Sequence, residues 1–361
     1  MNHPSSLYPQ GKAAIFNGHG QPFEYSTHHV PALKPGEVLV KVLYTTICGS
    51  DVHTYCGRRQ EPPHVVLGHE ITGDIVAIES SHSGLDFKGQ GITAGDRITW
   101  SIFSVPAGVV APRQDMPQKS DQLFKYGHVL AEGEDIFNGG LADYCILRSN
   151  TALVKIDKNI PLKVAATISC AHATVTGALR IAGNIENRKV LVLGAGLLGL
   201  SCLAQCKEAG ASWIGIVDHD LSRLPWGEKF GADKAYSLPV IDNIFPWPEV
   251  DIVFDMTGHP EAMKTGLDAL ALGGIAVWIG AVYPAAPVAV DAQKIVRKLL
   301  QIRGLHNYNY EDFLNAVSFI ENNYQNYPFE DLVEKEFVLS EVEQAFAWAN
   351  EKRPVRVGVS I

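Results

Sequence analysis

The feature that most constrains the fold is a glycine-rich segment in the second half of the chain. An apolar run, Val190–Leu193, leads directly into Gly194, Gly196 and Gly199. Two of these glycines let the backbone approach a pyrophosphate, and the third lets a helix pack closely on the strand. The segment therefore predicts a strand–turn–helix unit that binds a dinucleotide.

The sequence around that segment alternates between strand-like and helix-like patterns. Further apolar strands are expected at Trp213–Val217, Asp251–Phe254 and Ile275–Ile279. The helix after the glycines should begin at about Leu197 and end at Gly210, since glycine is a common C-terminal cap. Fully apolar strands with intervening helices indicate a doubly wound parallel sheet that is covered on both faces.

Three regions are expected along the chain. Residues 1–155 should form a β-rich, barrel-like domain, because strand-like composition there is broken by glycine and proline turns. Residues 156–307 should form the parallel α/β domain. Residues 308–361 hold a predicted helix with a capping box at Ser340–Glu343, and their strand-like end is expected to return to the first domain.

Charge and hydropathy exclude several classes of function. The formal net charge is -9, and no run of lysine and arginine exceeds two residues, which argues against nucleic acid and anionic membranes as partners. The polar start of the chain does not resemble a signal peptide. The six cysteines show no disulfide spacing, so a reducing, cytoplasmic setting is expected.

Charged residues at the end of the second strand bear on which dinucleotide binds. Asp218 is expected to accept hydrogen bonds from the adenosine ribose hydroxyls, and its charge, reinforced by Asp220, should repel a 2′-phosphate. Arg223 complicates this choice, since an arginine can hold a 2′-phosphate. Leu197 and Leu198 open the helix whose N-terminus should face the phosphates. The balance favours NAD over NADP.

The first half of the chain supplies side chains of a different chemistry. The run Cys48–His53 reads Cys-Gly-Ser-Asp-Val-His, and Gly68–Glu70 reads Gly-His-Glu. A thiolate and an imidazole are the ligand types that zinc prefers. Zinc together with a dinucleotide indicates hydride transfer to or from a polarised carbonyl.

These motifs, in this order, resemble the zinc-containing medium-chain alcohol dehydrogenases along essentially the whole chain. The resemblance implies a GroES-like catalytic domain followed by a Rossmann domain. It also implies that Cys170 joins Cys48 and His69 as the third ligand of a catalytic zinc. Three protein ligands would leave one position open for the substrate oxygen.

The resemblance further implies roles for the residues that flank these ligands. Ser50 would take the proton of the alcohol and pass it, through the nicotinamide ribose, to His53 at the surface. Asp51 would orient the imidazole of His69, and Glu70 would lie behind the metal.

Two further implications concern the cofactor and the assembly. Arg356, near the end of the chain, resembles an arginine that contacts the pyrophosphate. The enzyme is expected to form a homodimer or a homotetramer.

Many members of the family carry a second, structural zinc on four cysteines. In this chain the corresponding lobe should fall at about Val105–Ser120, but no cysteine lies between Cys56 and Cys145. A tetrahedral thiolate site cannot be built there. One zinc per chain is therefore expected, with proline and apolar packing holding the lobe.

Similarity to two subgroups of the family leaves the substrate open. One contains dehydrogenases associated with phosphonate breakdown, and the other contains bacterial dehydrogenases such as 5-exo-hydroxycamphor dehydrogenase. A phosphonate needs a basic cluster, for which the candidates are Arg58, Arg59, Lys125 and His128. An apolar alcohol needs an aromatic pocket, for which the candidates are Trp100, Phe103, Phe124, Trp278 and Tyr283. A bulky, camphor-type secondary alcohol, oxidised to its ketone, is the favoured expectation.

A hypothesis of another class is a binding protein that has kept the fold and lost the metal. The simultaneous presence of Cys48, Ser50, His69 and Cys170 argues against it.

Overall fold

The computed structural model describes residues 9–106, 108–109, 113, 115–237 and 246–361. These residues form two compact units. The first unit extends to Cys170 and also contains Asn309–Tyr324 and Phe329–Ile361. The second unit contains Ala171–Tyr308 and Gln325–Pro328. The chain therefore leaves the first unit once and returns to it near its end.

The first unit is built around a seven-stranded sheet with the order β16-β17-β3-β4-β5-β9, in which β8 also pairs with β3. The strands of this sheet are β3 (Val38–Ile47), β4 (Glu70–Ile78), β5 (Arg97–Trp100), β8 (Tyr144–Leu147), β9 (Leu153–Lys155), β16 (Val333–Val338) and β17 (Arg356–Ser360). Two small antiparallel pairs flank it, formed by β1 (Gln10–Ile15) with β2 (Glu24–His29) and by β6 (Phe103–Ser104) with β7 (Phe124–Lys125). Its helices are α1 (Gly49–Tyr55), α2 (Leu162–Thr167), α8 (Tyr310–Asn323) and α9 (Val342–Lys352).

The ten-residue strand β3 organises this sheet because it pairs with three others. Its first half pairs with β8, and its second half pairs with β17, so that Ile47 lies opposite Val357. Residues of β3 alternate between two buried apolar clusters, with Leu39 and Ile47 in one and Val40 and Val42 in the other. The C-terminal strand β17 pairs with β3 and so belongs to the sheet of the first unit.

The second unit contains a six-stranded, entirely parallel sheet with the order β12-β11-β10-β13-β14-β15. The strands are β10 (Lys189–Leu193), β11 (Trp213–Asp218), β12 (Lys234–Ser237), β13 (Val250–Asp255), β14 (Leu270–Trp278) and β15 (Gln301–Gly304). The helices are α3 (Ala173–Ala182), α4 (Leu197–Glu208), α5 (Leu224–Lys229), α6 (Pro260–Ala269) and α7 (Ala292–Lys298). The predicted α/β class with its parallel sheet is confirmed.

The predicted capping box at Ser340–Glu343 is wrong. A short 3₁₀ turn, Leu339–Glu341, precedes α9, and the helix itself begins at Val342 without a side-chain cap. Glu343 does not cap the helix, since its carboxylate accepts from the backbone N–H of Phe23 at 2.9 Å and from the hydroxyl of Tyr55 at 3.0 Å. Contacts between segments distant in the sequence have replaced the local hydrogen bond.

One helical run, Leu162–Ala182, is long and apolar enough to cross a membrane by length and composition. The buried share of its most apolar window is 72%. A buried core helix meets the same criteria, so the run is weak evidence for a membrane span. Within this run, α2 packs on β3 and β4, and α3 packs on α4 and β14.

Candidate active site

Two antiparallel strands place the first two predicted metal ligands side by side. Cys48 directly follows β3, and His69 directly precedes β4. Because Thr46 pairs with Glu70, the end of one strand lies beside the start of the other. Both ligand side chains therefore emerge at the same rim of the sheet.

The third predicted ligand lies on an irregular helical turn. The residues Ile168–His172, between α2 and α3, form a π-helical turn that carries Cys170. Such turns insert an extra residue into a helix and often occur at functional sites. The hydroxyl of Ser169 donates to the carbonyl of His69 at 3.1 Å and so joins this turn to the second ligand. The ligand atoms of Cys48, His69 and Cys170 all lie within 4.8 Å of one another.

A buried carboxylate positions two of these ligands. Asp51 is 1% exposed, and one of its oxygens accepts from the backbone N–H of Cys48 at 3.0 Å. Its other oxygen lies 3.2 Å from Nδ1 of His69. Nε2 of His69 faces the opposite way, 3.4 Å from the hydroxyl oxygen of Ser50. The imidazole therefore presents Nε2 to the site, as expected for a ligand that a carboxylate orients.

Behind the cysteine lies a buried ion pair. Glu70 is fully buried and accepts from Nε of Arg356 at 2.9 Å and from Nη2 at 3.0 Å. Nη2 also lies 3.7 Å from Sγ of Cys48. The sequence did not predict that Arg356 lies here, and its contact with a pyrophosphate stays a prediction.

The glycine motif forms a tight turn between β10 and α4. Gly194 has a φ of +101°, and a Cβ at Gly199 would lie 1.8 Å from the carbonyl oxygen of Gly194. No larger residue fits at Gly199, because strand and helix touch there. A Cβ at Gly196, in contrast, would have only Nη1 of Arg223 near it, at 3.9 Å. The backbone at Gly196 is thus open to a ligand.

Asp218 is the last residue of β11 and lies beside this turn. It is 6% exposed, and one of its oxygens accepts from the N–H of Ala195, inside the glycine motif, at 2.5 Å. The other accepts from the N–H of Asp220 at 2.8 Å. Leu197 and Leu198 open α4, as predicted. The structure therefore places Asp218 and the start of α4 beside the glycine turn, while Arg356, also assigned to the dinucleotide, lies in the first unit.

Comparisons with known proteins show which family the chain resembles. Residues 34–158 match the family model of the alcohol dehydrogenase GroES-like domain, and residues 198–322 match that of the zinc-binding dehydrogenases. The chain is 27% identical to L-threonine 3-dehydrogenase of Proteus mirabilis over 88% of its own length and 90% of that protein. It is 27% identical to D-xylulose reductase of Scheffersomyces stipitis, over 84% of each.

Solved structures share the fold. An alcohol dehydrogenase from Thermotoga maritima superposes with a TM-score of 0.88 at 24% identity and covers 98% of this chain and 99% of its own. A zinc-binding dehydrogenase from Sinorhizobium meliloti, solved with NADP, gives a TM-score of 0.84 at 21% identity over 98% of this chain and all of its own.

The chain belongs to the zinc-containing medium-chain alcohol dehydrogenases. The predicted family, fold and enzyme class, an oxidoreductase that acts on CH–OH groups, are thereby confirmed.

The donor atoms fit a zinc ion. Catalytic zinc takes three protein ligands of the cysteine and histidine types, with bonds of about 2.0–2.3 Å. Separations of up to 4.8 Å between the ligand atoms leave room for one ion among them. The dehydrogenase thus has a complete donor set on one rim of its first unit.

The protonation of these ligands also suits a cation. Cys170 donates to Cys48, and Arg356 and His69 add positive charge, which together hold the pKa of Cys48 well below its ordinary value. Burial lowers the pKa of His69, but Asp51 and Cys48 outweigh burial and raise it to about 10. The lowered pKa of Cys48 favours its thiolate form, which is the form that binds a divalent cation, and binding would displace any proton from His69.

His53, the predicted end of the proton path, lies on α1 one turn after Ser50. Its Nδ1 accepts from Nε of Arg58 at 2.9 Å. Burial and the charge of Arg58 lower the pKa of His53. Its role as a proton acceptor stays a prediction.

The predicted lobe at about 105–120 is described only in part. Residues 107, 110–112 and 114 lie outside the described residues, so the proposed packing of this lobe stays a prediction. A 3₁₀ turn, Pro117–Lys119, is described within it.

One contact near the metal ligands was missed in the sequence. The ring of His128 lies against that of His69, with 5.1 Å between the centroids, and Glu61 accepts from Nδ1 of His128 at 2.9 Å. Spacing along the chain carries no signal for this contact, because His69 and His128 belong to different segments.

Proposed function

We propose that this dehydrogenase oxidises a secondary alcohol to its ketone with NAD at a single zinc ion. The observation that carries the proposal is the convergence of Cys48, His69 and Cys170 beside the hydroxyl of Ser50. Zinc, when bound, would polarise the oxygen of the alcohol and lower the pKa of its hydroxyl.

The chain's own residues would bind, orient and move the proton. Ser50 would accept the proton of the substrate hydroxyl, and His53 would receive it nearer to solvent. Asp51 would keep Nδ1 of His69 engaged, so that Nε2 stays available. The open backbone at Gly196 and the start of α4 would hold the pyrophosphate, and Asp218 would hold the adenosine ribose.

The named relatives support a secondary alcohol. Threonine carries its hydroxyl at position 3 on a secondary carbon, and xylulose is a ketone whose reduction gives a secondary alcohol. Both names describe small, polar molecules.

The purified dehydrogenase should hold one zinc per chain. The reason is a complete catalytic donor set in a chain that has no cysteine between Cys56 and Cys145. Elemental analysis against protein concentration measures the ratio. A chelator should remove both the metal and the oxidation of alcohols, and zinc should restore both. A ratio of two, with both ions tightly held, would contradict the prediction.

NAD should exceed NADP in kcat/KM by a wide margin, because the buried carboxylate of Asp218 lies against the glycine turn. Asp218→Ala should reduce the difference in kcat/KM between NAD and NADP. The change should appear mainly in KM, since the substitution removes binding that ground state and transition state share. Glu228→Ala, an exposed carboxylate of the same unit, serves as the control. Equal kcat/KM for both cofactors in the parent would refute the assignment and would make Arg223 the residue that holds a 2′-phosphate.

The camphor-type substrate stays one alternative, and a phosphonate-linked alcohol or aldehyde stays the other. The aromatic side chains expected to line an apolar pocket offer limited support. Trp100 and Phe103 are each 1% exposed and belong to the packed interior of the first unit. Phe124 packs on the same core, and Trp278 packs within the sheet of the second unit.

Two measurements distinguish a non-catalytic binding protein from the dehydrogenases proposed above. It would bind NADH without holding zinc, and it would oxidise no alcohol. The metal ratio and the rate of NADH formation therefore decide between the classes.

Self-association of the chain remains part of this proposal. It is supported by exposed apolar side chains near the edge strand β15, which are Leu272, Val296, Leu299 and Ile302. Among the described strands, β15 pairs only with β14. An edge strand with apolar neighbours is a surface that a second copy can cover.

A further inference from the structure

A group of charged side chains lies beside His69, and it includes Arg59, Lys125 and His128, which the sequence offered as candidates for a phosphonate-binding cluster. Glu61 accepts from Nη2 of Arg59 at 2.7 Å and from Nδ1 of His128 at 2.9 Å. The ring of His128 in turn packs on that of His69. The side chains of Arg59, Glu61 and His128 are only 21%, 9% and 7% exposed. We call Arg59, Glu61, Lys125 and His128 the basic cluster.

Lys125 is the member of the basic cluster whose positive charge has no counter-charge among the described residues. It belongs to β7, where its neighbour Phe124 packs on the apolar core and Lys125 therefore points to the other face. Glu61 already pairs with Arg59, and among the described residues no hydrogen bond or ion pair engages Nζ of Lys125. The cluster thus holds two cations and one carboxylate, and one positive charge remains without a partner.

The surroundings of Lys125 place it near the metal centre. Burial and the charge of Arg59 lower its pKa to about 8, while Cys170 and Glu61 act in the opposite direction. Two residues further on, a Cβ at Gly127 would lie 3.4 Å from that of His69, so the chain after β7 runs directly past the second candidate zinc ligand. A half-buried ammonium group without a counter-charge is costly, and an oxyanion bound beside it would remove that cost.

His128 supplies a second unsatisfied group. Its Nε2 is buried and has no hydrogen-bond partner among the described residues. Buried polar atoms in folded proteins are nearly always paired, so an unpaired one beside a candidate catalytic centre indicates a place where a ligand supplies the partner.

We infer that the alcohol substrate carries an oxyanion, a carboxylate or a phosphonate, which Lys125 and Arg59 bind beside the metal ligands while Glu61 holds Arg59 and His128 in place. The inference rests on the proposed function and specifies its substrate. Arg59 offers a planar fork and Lys125 a point charge, a pair of donors that suits either oxyanion. The secondary hydroxyl would lie a few bonds away from the anionic group.

Matched substrates test the inference. 3-Hydroxybutyrate and its methyl ester differ only in charge and one small group, and 2-hydroxypropylphosphonate and its diethyl ester form the second pair. We expect kcat/KM for each anion to exceed that of its ester by about 10- to 100-fold, the range of a hydrogen bond to a charged group. The anion with the lower KM identifies the oxyanion.

Variants of Lys125 locate the effect. Lys125→Met should raise KM for the anions at least about 10-fold and leave kcat/KM for the esters within about 3-fold. Lys125→Arg should keep most of the preference because it keeps the charge. Lys158→Met, an exposed lysine of the same unit, is the control and should change neither. Zinc content and circular dichroism report whether each variant has folded.

The outcomes separate this inference from the proposed function. The oxyanion site is wrong if kcat/KM for neutral secondary alcohols equals that for the anions, or if Lys125→Met leaves the preference for anions intact. Either result leaves the proposed dehydrogenase activity unaffected. If no alcohol is oxidised, calorimetric titration with the two anions still tests the site, since Lys125→Met should weaken binding at least about 10-fold. Equal binding by parent and variant would overturn it.

Discussion

Cys170→Ala should reduce alcohol oxidation to the background rate while leaving NADH binding unchanged. Cys170 is one of three donor atoms that lie within 4.8 Å of one another, and a site with two donors cannot keep zinc in the geometry that catalysis needs. The glycine turn and Asp218, which are assigned to the dinucleotide, belong to the other unit and keep their contacts. Steady-state rates and a fluorescence titration with NADH measure the two effects separately.

Cys48→Ser should likewise reduce alcohol oxidation to the background rate and leave NADH binding unchanged. It should also affect the charged residues behind this ligand. The substitution leaves the ion pair of Glu70 and Arg356 beside a weaker ligand. Cys56→Ser is the matched control, because Cys56 lies outside the donor set and contacts Asn350. Full activity in Cys170→Ala would show that the catalytic metal does not need this ligand, and loss of NADH binding together with turnover would show that Cys170 supports the fold instead.

Ser50→Ala should lower kcat far more than His53→Ala does. The hydroxyl of Ser50 lies 3.4 Å from Nε2 of His69 and is next to the proposed reacting oxygen, whereas water can replace His53 at the end of the path. General acid–base groups contribute about 10²–10⁴-fold, and we expect the upper end for Ser50 and the lower end or less for His53. Ser50→Thr, which keeps a hydroxyl, should retain much of the activity.

The pH profile of kcat distinguishes the two residues. His53 accepts a proton only when neutral, and its lowered pKa keeps it neutral to a lower pH than an ordinary histidine. Oxidation by the parent should therefore fall only at acid pH. In His53→Ala the rate should recover partly at high pH, where hydroxide can take the proton. A fully active Ser50→Ala enzyme would disprove the proton path.

The sequence alone determined the parallel sheet and the turn that should hold the dinucleotide. The strand at Val190–Leu193, the glycines after it and the helix that ends before Gly210 are consecutive, and each is specified by local chemistry. A buried parallel strand needs an unbroken apolar run, and the close approach at Gly199 excludes any side chain. Patterns of this kind can be recognised in the sequence because the interacting residues are neighbours in the chain.

Only some of the candidate metal ligands could be proposed from local sequence patterns. Cys48 and His69 lie in short motifs at the ends of two strands that pair with each other, so local pattern and geometry coincide. Cys170 was assigned by family resemblance alone, because nothing in Ile168–His172 specifies a π-helical turn. The hydrogen bond from Ser169 to His69 that joins this turn to the strand appears only in the fold.

Only the tertiary structure decided what surrounds the ligands. Arg356 reaches Glu70 across 286 positions of the sequence, because β17 pairs with β3 and brings the end of the chain to the ligand rim. Glu61 and His128 meet through the packing of two loops, and the sequence analysis, which grouped the basic residues, did not include Glu61 among them. Such contacts are formed by burial and long-range pairing, whose partners are chosen by the whole fold and not by neighbouring residues.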